Sequence, residues 1–406
     1  MKNISIKIDE WKMSAWFTVV FYVICALLFG ALMVHINFSG RIFYNEMGHH
    51  LQFAQRMLES GRILIPHFLF HIVAIGVHGI VARIDPALAF ASHDPYVDDS
   101  WLVSSVIIMT TIYAVTIAFL EKYLDNFSVI YRRLLAVALI TVQPIFVLAL
   151  WDKMYYLGYI TPSNIYIIPT QTLLKLTSIA VFMLTPMILR RNVRVWSAFW
   201  LSLLVVINGL SKPNYLIIAV PAIIVGSTIW YLRGRYINCV VLASYIVPSI
   251  GVLAWQYYFK FVNSDDVIYK SSITITAPFE VLAHLSRYPE VKLVLSVAFP
   301  AYFAIVYRRI VMGYWDILYA LCLMFFGLIV AIFFAETGYA RYAANFVWSA
   351  QIANFCLFVA TAKVFFGDVR VHSSNRKAYF IGCMIFALHT LCGLIFFVRS
   401  FAFDYR

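Results

Sequence analysis

RIFYNEMGHHLQFAQRMLESGRILIPHFLFH, residues 41–71, is the polar exception in an otherwise apolar chain. Glu46 opens a segment in which Leu51, Phe53, Ala54, Met57 and Leu58 recur at roughly helical spacing. Gly61 is placed to end that helix, and Pro66 to block its continuation. A helix this polar does not cross a bilayer, and one this amphipathic does not float free. It is expected to lie along the membrane surface. Beyond Pro66 comes a second piece, HFLFHIVAIGVHGIVARI (67–84), carrying His67, His71, His78 and Arg83. An acid at the start of a surface helix, just where a hydrophobic span ends, is the feature the rest of the chain has to explain.

The composition sets the surroundings. Of 406 residues, 63% are hydrophobic and 12% charged. Mean hydropathy is +0.84. Soluble domains are about a quarter charged, so the chain reads as an all-α, polytopic membrane protein. It forms one transmembrane unit over 1–406, with no large soluble domain. Spans need about 20 apolar residues. The candidates are 15–37, 101–120, 134–151, 171–189, 195–211, 214–232, 236–258, 291–307, 313–334, 343–366 and 378–399. That is about 11 helices, the first read as a retained signal anchor. The six cysteines all fall in hydrophobic runs without a C-x-x-C pair, so no disulfide framework or metal knuckle is indicated. The net charge of +12 does not point to nucleic acid, because the basic residues sit at span ends and mark topology.

That topology can be read from the charges. With Lys2, Lys7 and Lys12 inside, a full span at 67–84 would place Arg132/Arg133 and Arg190/Arg191/Arg194 outside. If 67–84 lies in the outer interface, these clusters and Arg233/Arg235, Arg308/Arg309 and Arg370/Arg376/Lys377 all fall inside. The external side is then expected to hold 38–100, 152–170, the 211–214 turn, 259–290, 335–342 and the C-terminal tail. The 259–290 loop is polar and suited to be a lid.

The acid, the surface helix, the Pro and the second interfacial piece together resemble the first external loop of the GT-C superfamily. These are integral-membrane glycosyltransferases that use lipid-linked sugars, and the lipid A aminoarabinose transferases have a similar layout. The pattern acidic-x3-aromatic/His-x3-small-x2-Met-Leu-x2-Gly, then Pro, reads here Glu46, His50, Ala54, Met57, Leu58, Gly61 and Pro66. The family's acid is usually Asp. The loop DKMYYLGYITPSNIYIIPT (152–170) is similar to the G-x-x-x-P-N-x-x-x-N-P-T loop of some bacterial members. Here Ser163 intervenes between Pro162 and Asn164, and Ile168 stands where the pattern has Asn. The resemblance implies a GT-C-like fold with two interfacial helices before the second span. It implies sugar transfer from a polyprenyl-phosphate carrier to a glycan or lipid acceptor, at the outer face of a bacterial inner membrane.

Such a transfer needs a base, cations for the leaving phosphate, and an amphiphilic groove. By the resemblance, Glu46 is the base. As a plain structural acid it would only interact with the helix dipole. His50, one helical turn on, is placed to reach substrate. Lys212 and Arg341 each stand alone at an external span end, where a charge is costly without a partner or a function. Both are expected to bind the donor phosphate, with Lys153 a further external cation; snorkelling to water or pairing with Glu336 is the plain alternative. Glu336 is expected to orient Arg341 or assist acid–base chemistry. Tyr155, Tyr156, Tyr159 and Tyr166 are placed to stack on sugar rings or to form an interfacial belt, with Asn164 nearby. His49, His50, His67 and His71 invite a metal reading, but no H-E-x-x-H is present, and hydrogen-bonding interfacial histidines are the simpler account. No metal site is assigned, and a divalent cation is left open. There is no P-loop, GxGxxG or DxD signature, which disfavours a soluble nucleotide sugar. The expected partners are the lipid-linked donor, the acceptor and membrane lipids. Two other classes compete: an O-antigen or polysaccharide polymerase or ligase, and a lipid-glycan transporter without enzymatic activity.

Overall fold

A computed structural model describes residues 2–38, 46–89, 91, 97–150, 159–162, 166, 168–262 and 271–402. Sixteen helices follow in order among these residues. They are α1 (Lys2–Phe38), α2 (Glu46–Ser60), α3 (Leu69–Ile84), α4 (Asp99–Tyr123), α5 (Val129–Thr141), α6 (Pro169–Leu184), α7 (Val195–Ser211) and α8 (Asn214–Leu232). Then come α9 (Cys239–Tyr257), α10 (Glu280–Leu285), α11 (Pro289–Val306), α12 (Arg308–Val311), α13 (Trp315–Phe333), α14 (Val347–Gly367), α15 (Val369–Ser374) and α16 (Arg376–Ala402). Nine helices among the described residues are long and apolar enough to cross a membrane. The chain is an all-α, multi-pass membrane protein.

Helix α14 is the centre. Nearly every residue from Val347 to Phe365 is buried, and α13, α8, α11 and α6 pack around it. Small residues permit the closest approach: at Gly327 of α13, a Cβ would lie 3.0 Å from Ala350 Cα. On the flank, α1 packs on α4, and α4 on α6.

Two of the eleven expected spans come out short. Helix α7 has 17 residues. The stretch expected as a span over 134–151 is helical only to Thr141, after which 142–147 has no regular secondary structure. Pro144 is the cause, since it lacks an N–H and disfavours helix at the residue before it. The freed backbone is taken up by neighbours: Gln143 N–H donates to His389 O at 3.2 Å, and Ile145 N–H to Leu295 O at 3.1 Å. His389 Nδ1 lies 2.7 Å from Gln143 O. Irregular backbone at membrane depth is tolerated only when enclosed by protein, and here α11 and α16 enclose it. Gly393 of α16 makes the approach possible, because a Cβ there would run into the Thr141 carbonyl.

The helix expected from Glu46 to Gly61 forms as α2. Gly61 ends it with φ +64°, and Leu51, Ala54 and Met57 are buried against the bundle, while Leu58 is exposed. Helix α3 has 16 residues, about 24 Å of rise against a hydrocarbon core of about 30 Å. The expected lid is tied down at one end. Strand β1 (Ile273–Ile275) pairs antiparallel with β2 (Phe334–Glu336), with Ile273 opposite Glu336. Thus the 259–290 loop is joined to the short loop after α13.

Candidate functional site

The helix starts, turns and strands on one side of the bundle enclose a cavity of about 660 Å³. Glu46 and His50 reach it from α2, and His67 from the link between α2 and α3. Thr170 reaches it from the first turn of α6, Lys212 from the α7–α8 turn, and Glu336 from β2. Lys260, from the turn after α9, completes the charged lining. The opposite wall is apolar, with Ile217 of α8 and Ile250, Leu253, Ala254 and Tyr257 of α9. Ile250 and Tyr257 are 53% and 54% exposed, so this wall continues onto the apolar outer surface of α9. The cavity is therefore amphiphilic: polar at one end, and open to the lipid-facing side at the other.

Local structure accounts for each placement. α7 stops at Ser211, Lys212 adopts extended backbone, and Pro213 precedes α8, so Lys212 sits in a two-residue joint between helices. Only 7% of it is exposed, and its Nζ lies 5.0 Å from the Trp348 ring centroid. Among the described residues its ammonium has no hydrogen-bonding or ion-pair partner. Burial pulls its pKa from 10.5 down to about 8, helped by the positive charge of Lys260 and opposed by the Glu46 carboxylate. Gln256 braces the joint by donating to Gly209 O at 2.8 Å and Pro66 O at 3.3 Å.

The histidines form a neutral group. His50 Nδ1 lies 3.0 Å from His71 Nε2, and His50 Nε2 lies 3.5 Å from Thr170 Oγ1. Desolvation holds the His50 pKa well below the ordinary value, and His71, His67 and Lys212 push the same way. His67 is lowered to about 3, first by desolvation and then by Lys212. At neutral pH these rings donate and accept hydrogen bonds and carry no charge. His71 is buried behind His50 and outside the lining. Among the described residues, no three His, Cys, Asp or Glu side chains converge as a metal-ligand set. Glu46 is exposed to the cavity, and its carboxylate has no hydrogen-bonding partner among the described residues.

Several expectations are corrected. Arg341 is not in the cavity: its Nη2 and Nε donate to Glu280 Oε1 at 2.7 and 2.9 Å. The reason is the β1–β2 pairing, which carries α10 and its Glu280 to that side of the bundle. Glu336 consequently does not orient Arg341. It accepts from Lys260 Nζ at 2.5 Å, Asn345 Nδ2 at 3.0 Å and Ser271 Oγ at 3.3 Å. Tyr159 and Tyr166 are core side chains; Tyr166 stacks on Phe396 with centroids 5.5 Å apart. Lys153, Tyr155, Tyr156 and Asn164 lie outside the described residues. Lys260 escaped the sequence reading. In the sequence it stands at a span end on the side expected to be external, and the rule that selected Lys212 selects it equally.

No protein-family model matches the chain. No curated protein matches it at significant sequence similarity.

Proposed function

We propose that the cavity is the active site of a GT-C-like glycosyltransferase that takes its sugar from a polyprenyl-phosphate carrier. One observation carries this reading. Glu46, His50 and His67 of the 41–71 stretch and Lys212, from a turn far along the chain, line a single cavity whose other wall is apolar and continues onto the exposed face of α9. A donor with a sugar, a phosphate and a long hydrocarbon tail matches that division. Lys212 faces the phosphate, since a desolvated ammonium without a partner favours an anion. The tail lies along Ile250, Leu253, Ala254 and Tyr257. Glu46 takes the proton of the acceptor hydroxyl. The acceptor oxygen forms its bond to the anomeric carbon as the bond from that carbon to the phosphate oxygen breaks, and polyprenyl phosphate leaves with the electron pair. His50 and His67, both neutral, hydrogen-bond the sugar or the acceptor without adding charge.

The test is mass analysis of lipid-linked sugars and surface glycans from cells with and without the protein. The expected result is accumulation of an unused lipid-linked sugar and loss of one sugar from a glycan or lipid. Identical profiles sink the reading; loss of a whole polymer with intact repeat units would instead indicate a polymerase or ligase.

This reading puts the reaction on the outer side, and it requires that α7 and the broken stretch 129–150 cross as well as the nine long helices, with 67–84 in the interface. A reporter active only outside is therefore expected to work when inserted near residue 90 or within 152–170, and to stay silent after Arg133 or Arg235. Silence near residue 90 would mean that 67–84 crosses the bilayer.

A further inference from the structure

A second cation faces the cavity, and its surroundings suggest a role of its own. Lys260 sits mid-way in the π-helical turn Tyr258–Val262 that ends α9. Such wide turns shift the register of a helix and recur at functional sites. Its side chain is 38% exposed and contacts Glu336, whose own side chain is 5% exposed. Glu336 has two further donors, Asn345 on the same oxygen as Lys260 and Ser271 on the other. The carboxylate therefore keeps hydrogen bonds when the ammonium turns toward a ligand. Lys212, Lys260 and His67 all line this one cavity, so the two lysines face one space. In the empty cavity the carboxylates of Glu336 and Glu46 offset these two like charges, and an anion lying between the lysines can take over that role toward Lys260.

Resting on the reading of the cavity as a phosphate site, we infer that Lys260 is a second phosphate-binding residue, with Glu336 as the positioning residue that holds it at the rim. The donor phosphate sits between Lys212 and Lys260, one non-bridging oxygen toward each. Glu336 and the phosphate then compete for the same ammonium. Glu336 keeps Lys260 neutralised in the empty cavity, which prevents an uncompensated pair of cations there.

The test uses the full-length protein in lipid nanodiscs, with farnesyl phosphate and farnesol as probes. The unaltered protein is expected to bind farnesyl phosphate much more tightly than farnesol. Equal binding would remove the phosphate reading of the cavity altogether, and this inference with it. Given that preference, Lys260→Gln is expected to weaken farnesyl phosphate about 10–100-fold and to leave farnesol unchanged. Because Lys260→Gln disturbs a buried carboxylate, the double variant Lys260→Gln/Glu336→Gln is the decisive arm, since it keeps a neutral hydrogen-bonding pair. It is expected to show parental thermal stability and the same phosphate-specific loss. Glu336→Gln alone is expected to tighten farnesyl phosphate, and that gain should vanish in the Lys260→Gln background. Parental affinity in the double variant, or the same gain with and without Lys260, would overturn the inference while leaving Lys212 as the phosphate residue.

Discussion

Glu46→Gln is expected to slow sugar transfer about 10²–10⁴-fold, the range a general base contributes. The swap keeps size and hydrogen-bonding capacity and removes only the basic oxygen. Donor binding should change little, because in the proposed reading the phosphate is held by cations on other elements. Folding should survive, since an acid in a first helical turn is worth about 0.3–1 kcal/mol and Glu46 is exposed to the cavity. Glu46→Asp should keep part of the activity, as the acid remains but is one methylene shorter. Three readings separate in one experiment on purified protein. A dipole role gives near-normal turnover, a structural role gives little folded protein, and a catalytic role gives folded, donor-binding, inactive protein. Normal turnover by Glu46→Gln would remove the mechanism.

The second large effect is at Lys212. Lys212→Ala is expected to weaken donor binding about 10–100-fold, the loss of one desolvated, charge-assisted contact. The pH dependence tests the cause. With a pKa of about 8 in the empty cavity, Lys212 is ionised below that value and neutral above it. A phosphodiester stays singly charged throughout, so above about pH 8 binding requires proton uptake by the lysine. Affinity should then fall with rising pH, approaching tenfold per unit. Ligand-free stability should move the other way. Between about 8 and the ordinary 10.5, the unfolded chain holds the proton that the folded chain has released. Stability from this group therefore rises with pH across that window, and the cost of burying the charge is fully present below it. Lys212→Arg should abolish both inflections, because guanidinium remains charged, while keeping part of the affinity. PH-independent donor affinity from 7 to 10 in the unaltered protein would leave Lys212 as a packing residue.

Much of this was visible before any coordinates. The apolar blocks mark the spans, because a bilayer leaves a chain few other ways to satisfy its backbone. Glu46, Gly61 and Pro66 bound α2, and the cost of an isolated charge pointed to Lys212. What stayed hidden depended on long-range pairing. In the sequence Arg341 has Glu336, five residues away, as its apparent neighbour, because Glu280, its partner, is 61 residues away and arrives only when β1 meets β2. Lys260 looked like the first residue of a polar loop until the π turn carried it to the cavity. The break after Thr141 was signalled by Pro144, but the run around it is so apolar that hydropathy outweighed the proline.

The irregular stretch after α5 also constrains how the protein is made. The backbone groups of Gln143 find their partner in His389, 246 residues downstream. At about 5–20 residues per second, the ribosome reaches that histidine roughly 10–50 s after the glutamine leaves the tunnel. Until then the segment has bare amides that lipid cannot satisfy. It must wait in the wet interior of the insertion machinery or beside a helper protein, and it locks in only when the final helix arrives. Truncation before α16 would thus strand the middle of the chain, and a quality-control protease that recognises exposed polar backbone in the membrane would find its target around Pro144.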